Sequence, residues 1–414
     1  MKHVWVAALV GAAVLLARAQ EPETNVNERY MVESVDISGA DQSTLERPVR
    51  EELRRLVGQR FSQEKLEELS RLIHKAFPGR TVSIRVNRGN TPDHVKVTFE
   101  VKGHSRRFDL MAPKALYCSR QGWSGELDAT AEARSNVFTL GILSDGDSQL
   151  ERFNGLKARY ENRKLGTNLV QFAFEFGSYN EIWNDATVAA SAAAHEGGLP
   201  LDIYRTREKY EPVATVTLAQ PLKLSVGVSF QRFQVQYPAA RTEGANAVIA
   251  TLRYDRQLEE SDSSKHRLEA GYGLRAATRT LGSDFVYARH TWDFAYTLWH
   301  GNHKLSERAE AGAITGSAPL FERFVLGNSS TLRGWNKYDI APLGGNRVAY
   351  NSVAYRYRAF EVFYDAGAVW TGGQQATVRH SAGAGVHIGD LALLVAFPIR
   401  NGRMDVVFMA GLNL

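Results

Sequence analysis

Residues 324–335 read FVLGNSSTLRGW, and residues 363–370 read FYDAGAVW. The first segment begins apolar and continues into a run of Ser, Thr and Gly around a single arginine, Arg333, which is the composition of a loop tip. The second alternates as a β-strand does, with its large apolar side chains on one face. The other face carries Glu361, Asp365 and Gly367. If this strand lines a barrel lumen, a loop that folds inward brings Arg333 onto its carboxylate.

The order and spacing of the two segments resemble the signature of the BamA-like family of outer-membrane assembly and translocation barrels, the bacterial surface antigen family. In that family a V/L-R-G-F/Y/W loop tip reaches into the lumen and docks on a strand containing D-x-G. The matching residues here are Leu332-Arg333-Gly334-Trp335 and Asp365-Ala366-Gly367. The resemblance implies a pair between Arg333 and Asp365, and a guanidinium buried in a lumen requires such a partner. The alternative is a solvated loop arginine between ordinary turn glycines.

The chain departs from the family pattern at two places. The strand after the loop commonly carries E-x-R, whereas this chain has Ala354-Tyr355-Arg356. Arg356 is retained, and we expect it in the lumen with Glu361. Arg333 has lost one expected carboxylate, so Asp365 should carry most of the pairing. The chain also ends on Leu414, although such barrels usually end on an aromatic residue that the assembly machinery reads.

From about residue 104 the sequence alternates with a period of two, which predicts an outer-membrane β-barrel over residues 104–414. In residues 170–177 and 222–231, apolar side chains alternate with polar or small ones. At roughly 19 residues per strand and connection, this part of the chain accommodates about 16 antiparallel strands. A soluble exported β-protein shows similar alternation and is the alternative. The candidate loops are the polar stretches near 143–150, 178–186, 194–211, 238–245, 256–266 and 328–347.

Residues 30–103 have a different pattern, which predicts a small α+β domain of order β-α-α-β-β. One helical stripe is Leu45, Val49, Leu53 and Leu56, and Pro48 leaves the start of that helix open. Ser62 is a candidate cap for a second helix that Pro78-Gly79 ends. Two alternating strands follow. This order resembles a POTRA domain, the periplasmic module of the same family, whose edge strands are thought to accept extended client segments.

The N-terminus is typical of an exported protein. A short charged start, the apolar run 4–16 and Ala17-Arg18-Ala19 predict a signal peptide, residues 1–19, and residues 20–29 form a polar lead-in. A transmembrane anchor is the alternative, but the run is short for a bilayer. The single cysteine excludes an intrachain disulfide. A net charge of +5 over 414 residues favours a basic lumen or headgroup rim over a nucleic-acid site.

No motif of catalysis is present, so we do not expect an enzyme or a cofactor. His300 and His303 are too few ligands for a metal site. We expect an outer-membrane barrel that assists insertion or translocation of polypeptides, with the POTRA domain in the periplasm, and the bilayer, unfolded clients and periplasmic accessory proteins as partners. The alternatives are a two-partner-secretion transporter of one exoprotein, which usually has two POTRA domains and a plug helix, and a passive pore or surface antigen.

Overall fold

The computed structural model describes residues 29–412 except 41–44, 46, 78–79, 104–107, 134, 146–151, 199–200, 262–263 and 401–402. The expected signal peptide, most of the lead-in, Pro78-Gly79 and Leu414 lie outside the described residues. The chain divides into two compact units, residues 1–105 and 106–414. The proposed domain limits, 30–103 and 104–414, stay predictions.

The first unit is a small α+β fold with the order expected from the sequence. Its elements are β1 (Met31–Ser38), α1 (Arg47–Leu56), α2 (Gln63–Ala76), β2 (Arg80–Arg88) and β3 (His94–Gly103). The sheet order is β1-β3-β2, with β1 and β3 parallel and β2 and β3 antiparallel. The two helices fill the connection that a parallel pair of strands requires.

The core of this unit follows from the two periodicities in the sequence. Alternate residues of the central strand β3 are buried, and Phe99 is fully covered, as is Ile73 on the apolar stripe of α2. The Ser62 side chain accepts a hydrogen bond from the backbone of Lys65 and so caps α2. Helix α1 begins at Arg47, which places Pro48 in its first turn, where a missing N–H costs nothing.

The second unit is a closed antiparallel β-barrel. Its strand segments are β4 (Phe108–Cys118), β5 (Gly122–Ala133), β6 (Asn136–Asp145), β7 (Arg152–Asn162), β8 (Val170–Ile182), β9 (Ile203–Ala219), β10 (Leu222–Tyr237), β11 (Arg241–Gly244), β12 (Ala247–Ser261), β13 (Ser264–Ala277), β14 (Val286–His300), β15 (His303–Ser317), β16 (Arg347–Tyr357), β17 (Phe360–Trp370), β18 (Arg379–Ile388), β19 (Leu391–Arg400), β20 (Arg403–Met404) and β21 (Val407–Leu412). Both β11 and β12 pair with β10, and both β20 and β21 pair with β19. Each of these two couples is one interrupted strand, so the described segments form 16 strands across the barrel, and the prediction of about 16 is confirmed.

The two ends of the barrel differ. At one end, the turn end, short connections such as 220–221, 301–302 and 358–359 join the strands, and β4 begins and β21 ends there. At the other, the loop end, the connections include 183–202, with helix α3 (Asp185–Glu196), and 318–346, with helix α4 (Lys337–Ile340). The stretches 178–186, 194–211 and 256–266 were expected to be loops but are mostly regular structure. Residues of β8, α3, β9, β12 and β13 occupy them, because strands that extend beyond the bilayer become polar at their ends.

None of the helices among the described residues is long and apolar enough to span a membrane.

The barrel is closed by a short ladder, the seam, between β4 and β21. Its described pairs join Leu116–Cys118 to Met409–Gly411. The ladder between β14 and β15, by comparison, runs unbroken from Val286↔Ser317 to His300↔His303. The seam is therefore weaker in backbone hydrogen bonds than this wall of the barrel.

The outer face of the barrel is apolar and the inner face polar. Phe174, 37% exposed, and Val226, 48% exposed, point outward on β8 and β10. Glu175 and Ser225, one residue away, bond inside the lumen: Glu175 Oε1 accepts from Lys209 Nζ at 2.6 Å, and the hydroxyls of Ser225 and Thr215 lie 2.8 Å apart. Alternation along a strand produces this separation.

We predict that arginine is tolerated on one face of β10 and not on the other. Val226→Arg should lower the free energy of unfolding in lipid vesicles by roughly 2–4 kcal/mol, because the charge enters hydrocarbon, whereas Ser225→Arg should cost much less. Urea unfolding of the two variants in the same vesicles measures the difference. Equal losses would contradict the assignment of the two faces.

Candidate functional site: a loop tip docked in the lumen

The loop 318–346 folds back into the barrel instead of standing in solvent. Most of its tip, residues 326–335, is buried, with Ser330 exposed and Thr331 half-buried: Leu332 is fully buried and Arg333 is 9% exposed. Loops ordinarily lie exposed on the surface. When a tip is buried to this degree, its polar groups need hydrogen-bond partners on the barrel wall.

The tip is a rigid turn. The Asn328 side-chain oxygen accepts hydrogen bonds from the backbone N–H groups of Ser330 and Thr331, at 3.0 and 2.6 Å, so one amide fixes the turn. Leu332 (φ 46°) and Gly334 (φ 86°) both have left-handed backbone conformations. A Cβ at Gly334 would lie 3.0 Å from Pro398 Cδ and 3.1 Å from Ala396 Cβ, so the approach to β19 requires a glycine.

Arg333 forms a bidentate pair with Asp365 on β17. Nε of Arg333 donates to Oδ2 at 2.9 Å, Nη2 donates to Oδ1 at 2.8 Å, and the backbone N–H of Arg333 also donates to Oδ2 at 3.0 Å. Asp365 is fully buried. The planar fork matches a carboxylate, and such charge-assisted bonds are stronger than neutral ones.

Neighbouring side chains complete this pair. Ser352 on β16 accepts from Nη2 of Arg333 at 3.1 Å and donates to Oδ1 of Asp365 at 2.7 Å. Ser381 on β18 donates to the backbone carbonyl of Arg333 at 2.5 Å. The guanidinium also lies 3.4 Å from the centroid of the Phe363 ring, a cation–π contact. Three adjacent strands thus hold one loop residue.

The carboxylate that Ala354 does not supply is replaced by Glu361. Its Oε1 lies 3.7 Å from Nη1 of Arg333, and its Oε2 lies 3.0 Å from Nε2 of His387. Glu361 faces Arg356 in the ladder between β16 and β17, so both predicted lumen residues lie on the inner wall. Asp365 makes the close contact and Glu361 a longer one, because Glu361 lies nearer the turn end of β17, with Phe363 between the two on the same face.

Trp335 and Gly367 lock the remainder of the tip. The indole Nε1 of Trp335 donates to the carbonyl of His380 at 2.8 Å, and the guanidinium of Arg400 lies 4.7 Å from the ring centroid. A Cβ at Gly367 would come 2.9 Å from Leu326 Cδ1, so the glycine makes room for the loop. The structure brings together all of the predicted motif residues, Leu332, Arg333, Gly334, Trp335, Asp365, Gly367 and Glu361, with Arg356 beside them.

A second anchor of the loop was not found from the sequence. Glu322, at the start of the loop, is 7% exposed, and its Oε1 lies 3.4 Å from Nε of Arg275 and 3.3 Å from Nε2 of Gln231. Arg275 in turn donates to Glu211 at 2.7 Å. A lone glutamate beside a loop carries no sequence signal for such a role. The loop is thus attached at its start to one wall and at its tip to another.

Beneath the tip the lumen contains a cavity of about 580 Å³ lined by charges of both signs. Its lining includes Lys114, Glu126, Arg308 and Arg333. The described residues hold no group of three or more His, Cys, Asp or Glu placed to bind a metal. His303 bonds instead with the Tyr355 hydroxyl at 2.6 Å.

A closed barrel of 16 strands with an apolar exterior is typical of outer-membrane barrels, and in this chain a loop is docked inside the barrel. Residues 266–405, which include the loop and its partner strands, match the Omp85 superfamily domain. The outer membrane protein assembly factor BamA of Nitratidesulfovibrio vulgaris is 23% identical over 251 residues, covering 49% of this chain. This chain spans about a third of that relative, 32% of its length.

Two solved structures share the fold. BamA from Haemophilus ducreyi lacking POTRA domains 1–3 has a TM-score of 0.56 at 16% identity, covering 93% of this chain and 84% of that one. CdiB from Acinetobacter baumannii has a TM-score of 0.56 at 11% identity, covering 93% and 74%. The resemblance inferred from the motifs is confirmed: the chain is similar to BamA-like barrels, its residues 266–405 match the Omp85 superfamily domain, and its place is the outer membrane.

We predict that Arg333 and Asp365 act as one unit. Arg333→Ala strands a buried carboxylate and Asp365→Asn a buried guanidinium, and breaking a buried pair costs about 3–5 kcal/mol, with water in the lumen lowering the figure. The double variant should be little worse than either single one, since the interaction is lost only once. Heat-modifiable migration and protease cleavage within 328–347 measure loop docking.

Two further variants sharpen this test. Arg333→Lys should restore docking only in part, because a compact ammonium cannot make the fork. Arg356→Gln is the matched control, since it removes a lumen arginine one strand away from Asp365, and it should leave the loop protected. Additive losses in the double variant would show that the two groups do not act together.

Proposed function

We propose that this chain assists the insertion of polypeptides into the outer membrane by opening its seam to a client strand. The observation that carries the proposal is the short β4–β21 ladder beside a docked loop. Strand β4 begins at Phe108, nearer the turn end than its described ladder with β21, which starts at Leu116. When the seam opens, the backbone groups of β4 form an edge that is a template for another strand.

The part of β4 nearer the turn end has features that suit transient pairing with a client strand. Phe108 and Leu110 are about two-thirds exposed and point outward, into lipid in a membrane. Pro113 lies where the β4–β5 register shifts, between Met111 and Lys114, and it lacks an N–H. An edge with a proline and a bulge accepts a partner strand less permanently than a flat one, which favours release of the client.

The turn end faces the periplasm in this proposal, since outer-membrane barrels have their short turns on that side. The first unit, taken here as the POTRA domain, precedes β4 in the chain and is then periplasmic, and the outer edge of its strand β2 offers a site for extended clients or accessory proteins. A cavity of about 590 Å³ at one end of its sheet is lined by Tyr30, Phe61 and Val86, among others. The N. vulgaris relative is an assembly factor, which supports a role without catalysis.

Locking the seam tests the proposal. Cys118, the single cysteine of the chain, faces Met409 across the seam, and Cβ atoms of such opposed residues lie about 4.5–5.5 Å apart, near enough for a disulfide after small adjustment. We predict that oxidised Met409→Cys protein loses most of its ability to speed folding of a small β-barrel client into liposomes. Reduction should restore it.

The control is Cys118→Ser/Met409→Cys, which has one thiol and should be insensitive to oxidation. Full activity of the locked protein would refute a seam mechanism. Translocation of an exoprotein through the locked barrel would instead favour the secretion transporter, because that route uses the lumen. Ion conductance without either activity would indicate a passive pore.

A further inference from the structure

The loop end of the seam carries a cluster of four charges from distant parts of the chain. Arg120 lies in the β4–β5 hairpin, Asp339 in helix α4 of the docked loop, Arg400 at the end of β19, and Asp405 between β20 and β21. Nη2 of Arg120 lies 2.9 Å from Oδ2 of Asp405, and its Nη1 lies 3.4 Å from Oδ2 of Asp339. Asp339 also forms an ion pair with Arg400.

Asp339 has a particular place in this cluster. It lies between two guanidinium groups, one from each side of the seam: Arg120 follows β4, and Arg400 ends the strand that pairs with β21. Without its carboxylate, the guanidinium groups of Arg120 and Arg400 would share Asp405, which is half exposed, as their counter-charge. Removal of Asp339 therefore weakens the attraction across the seam to the single Arg120–Asp405 pair and adds repulsion between the two guanidinium groups.

The loop also contacts the seam through uncharged groups. Nε2 of Gln121 donates to the carbonyl of Gly327 at 3.4 Å. The backbone N–H of Ser119 donates to the carbonyl of Phe408 at 2.9 Å, and the Phe408 N–H donates to Oγ of Ser119 at 3.1 Å. The same hairpin, 119–121, thus touches both the last strand and the docked loop.

We propose that Arg120, Asp339, Arg400 and Asp405 form an ionic clasp by which the docked loop holds the seam closed at the loop end. Asp339 and Arg120 are positioning residues: they act through the seam and not on a client. Withdrawal of the loop tip from Asp365 removes Asp339 from the cluster, so undocking and opening are one coupled event. The purpose of the clasp rests on the proposed function. The contacts that form the clasp lie within the barrel and do not depend on that function.

The native thiol reports on the state of the seam. Cys118 is 3% exposed and packs with Met409 of the opposite strand, so its reaction with a small maleimide requires the seam to separate. The test measures the labelling rate of the full chain in proteoliposomes, without any client. We expect Asp339→Asn to raise the rate by about three- to tenfold, the range for loss of one or two partly exposed ion pairs.

Matched variants decide the outcome. Asp390→Asn makes the same change at the turn end, in the connection between β18 and β19, and should label as the wild type does. Asp339→Glu keeps the charge and should restore slow labelling. At about 1 M salt, where screening acts over about 3 Å, the difference between Asp339→Asn and the wild type should shrink. Heat-modifiable migration verifies folding, and Arg120→Gln serves as a second variant if Asp339→Asn does not fold.

A wild-type labelling rate in both Asp339→Asn and Arg120→Gln would overturn the clasp. So would an equal increase in Asp390→Asn, because it would show a general loosening of the barrel. A wild-type protein that fails to speed client insertion, while Asp339→Asn still labels faster, would refute the proposed function and leave the clasp intact.

Discussion

A fully buried carboxylate on a barrel wall, Asp365, is the constraint on which the rest of the site depends. It accepts hydrogen bonds from Arg333 and Ser352, so its charge is balanced and its lone pairs are used. A buried carboxylate without that guanidinium would be costly, and the guanidinium is available only if the loop enters the lumen. The buried carboxylate on the wall therefore requires the docked loop, and the buried guanidinium of the loop requires that carboxylate.

The docked loop in turn places charged and apolar side chains beside the short described ladder between β4 and β21. The tip lies against β19 through Gly334, and α4 reaches both sides of the seam through Asp339. Glu322 fixes the start of the same loop to strands on another wall. Because the loop is attached at its start and at its tip, it connects two walls of the barrel from inside the lumen. Such a connection stabilises a closed barrel whose seam has few backbone hydrogen bonds.

Sequence reasoning found what is encoded locally. The two-residue alternation gave the strands, and the L-R-G-W and D-A-G segments gave the docked pair. It could not foresee that Glu361 stands in for the carboxylate missing at Ala354, because that depends on the register that sets Arg356 opposite Glu361. Helix α3 was missed because it has no apolar stripe; its buried residues are Thr187 and Ser191. Arg120 and Asp339, which are 219 residues apart, meet only through closure of the barrel.

Hydrogen–deuterium exchange tests most directly the central claim, that the buried pair in the lumen holds the seam closed. Peptides covering β4, β21 and the β14–β15 wall are compared between the wild type and Asp365→Asn in the same bilayer. The account predicts faster exchange at β4 and β21, with the β14–β15 wall unchanged, because that wall is held by its own long backbone ladder whereas the seam has few backbone bonds. Unchanged exchange at the seam, or equal acceleration throughout the barrel, would contradict it.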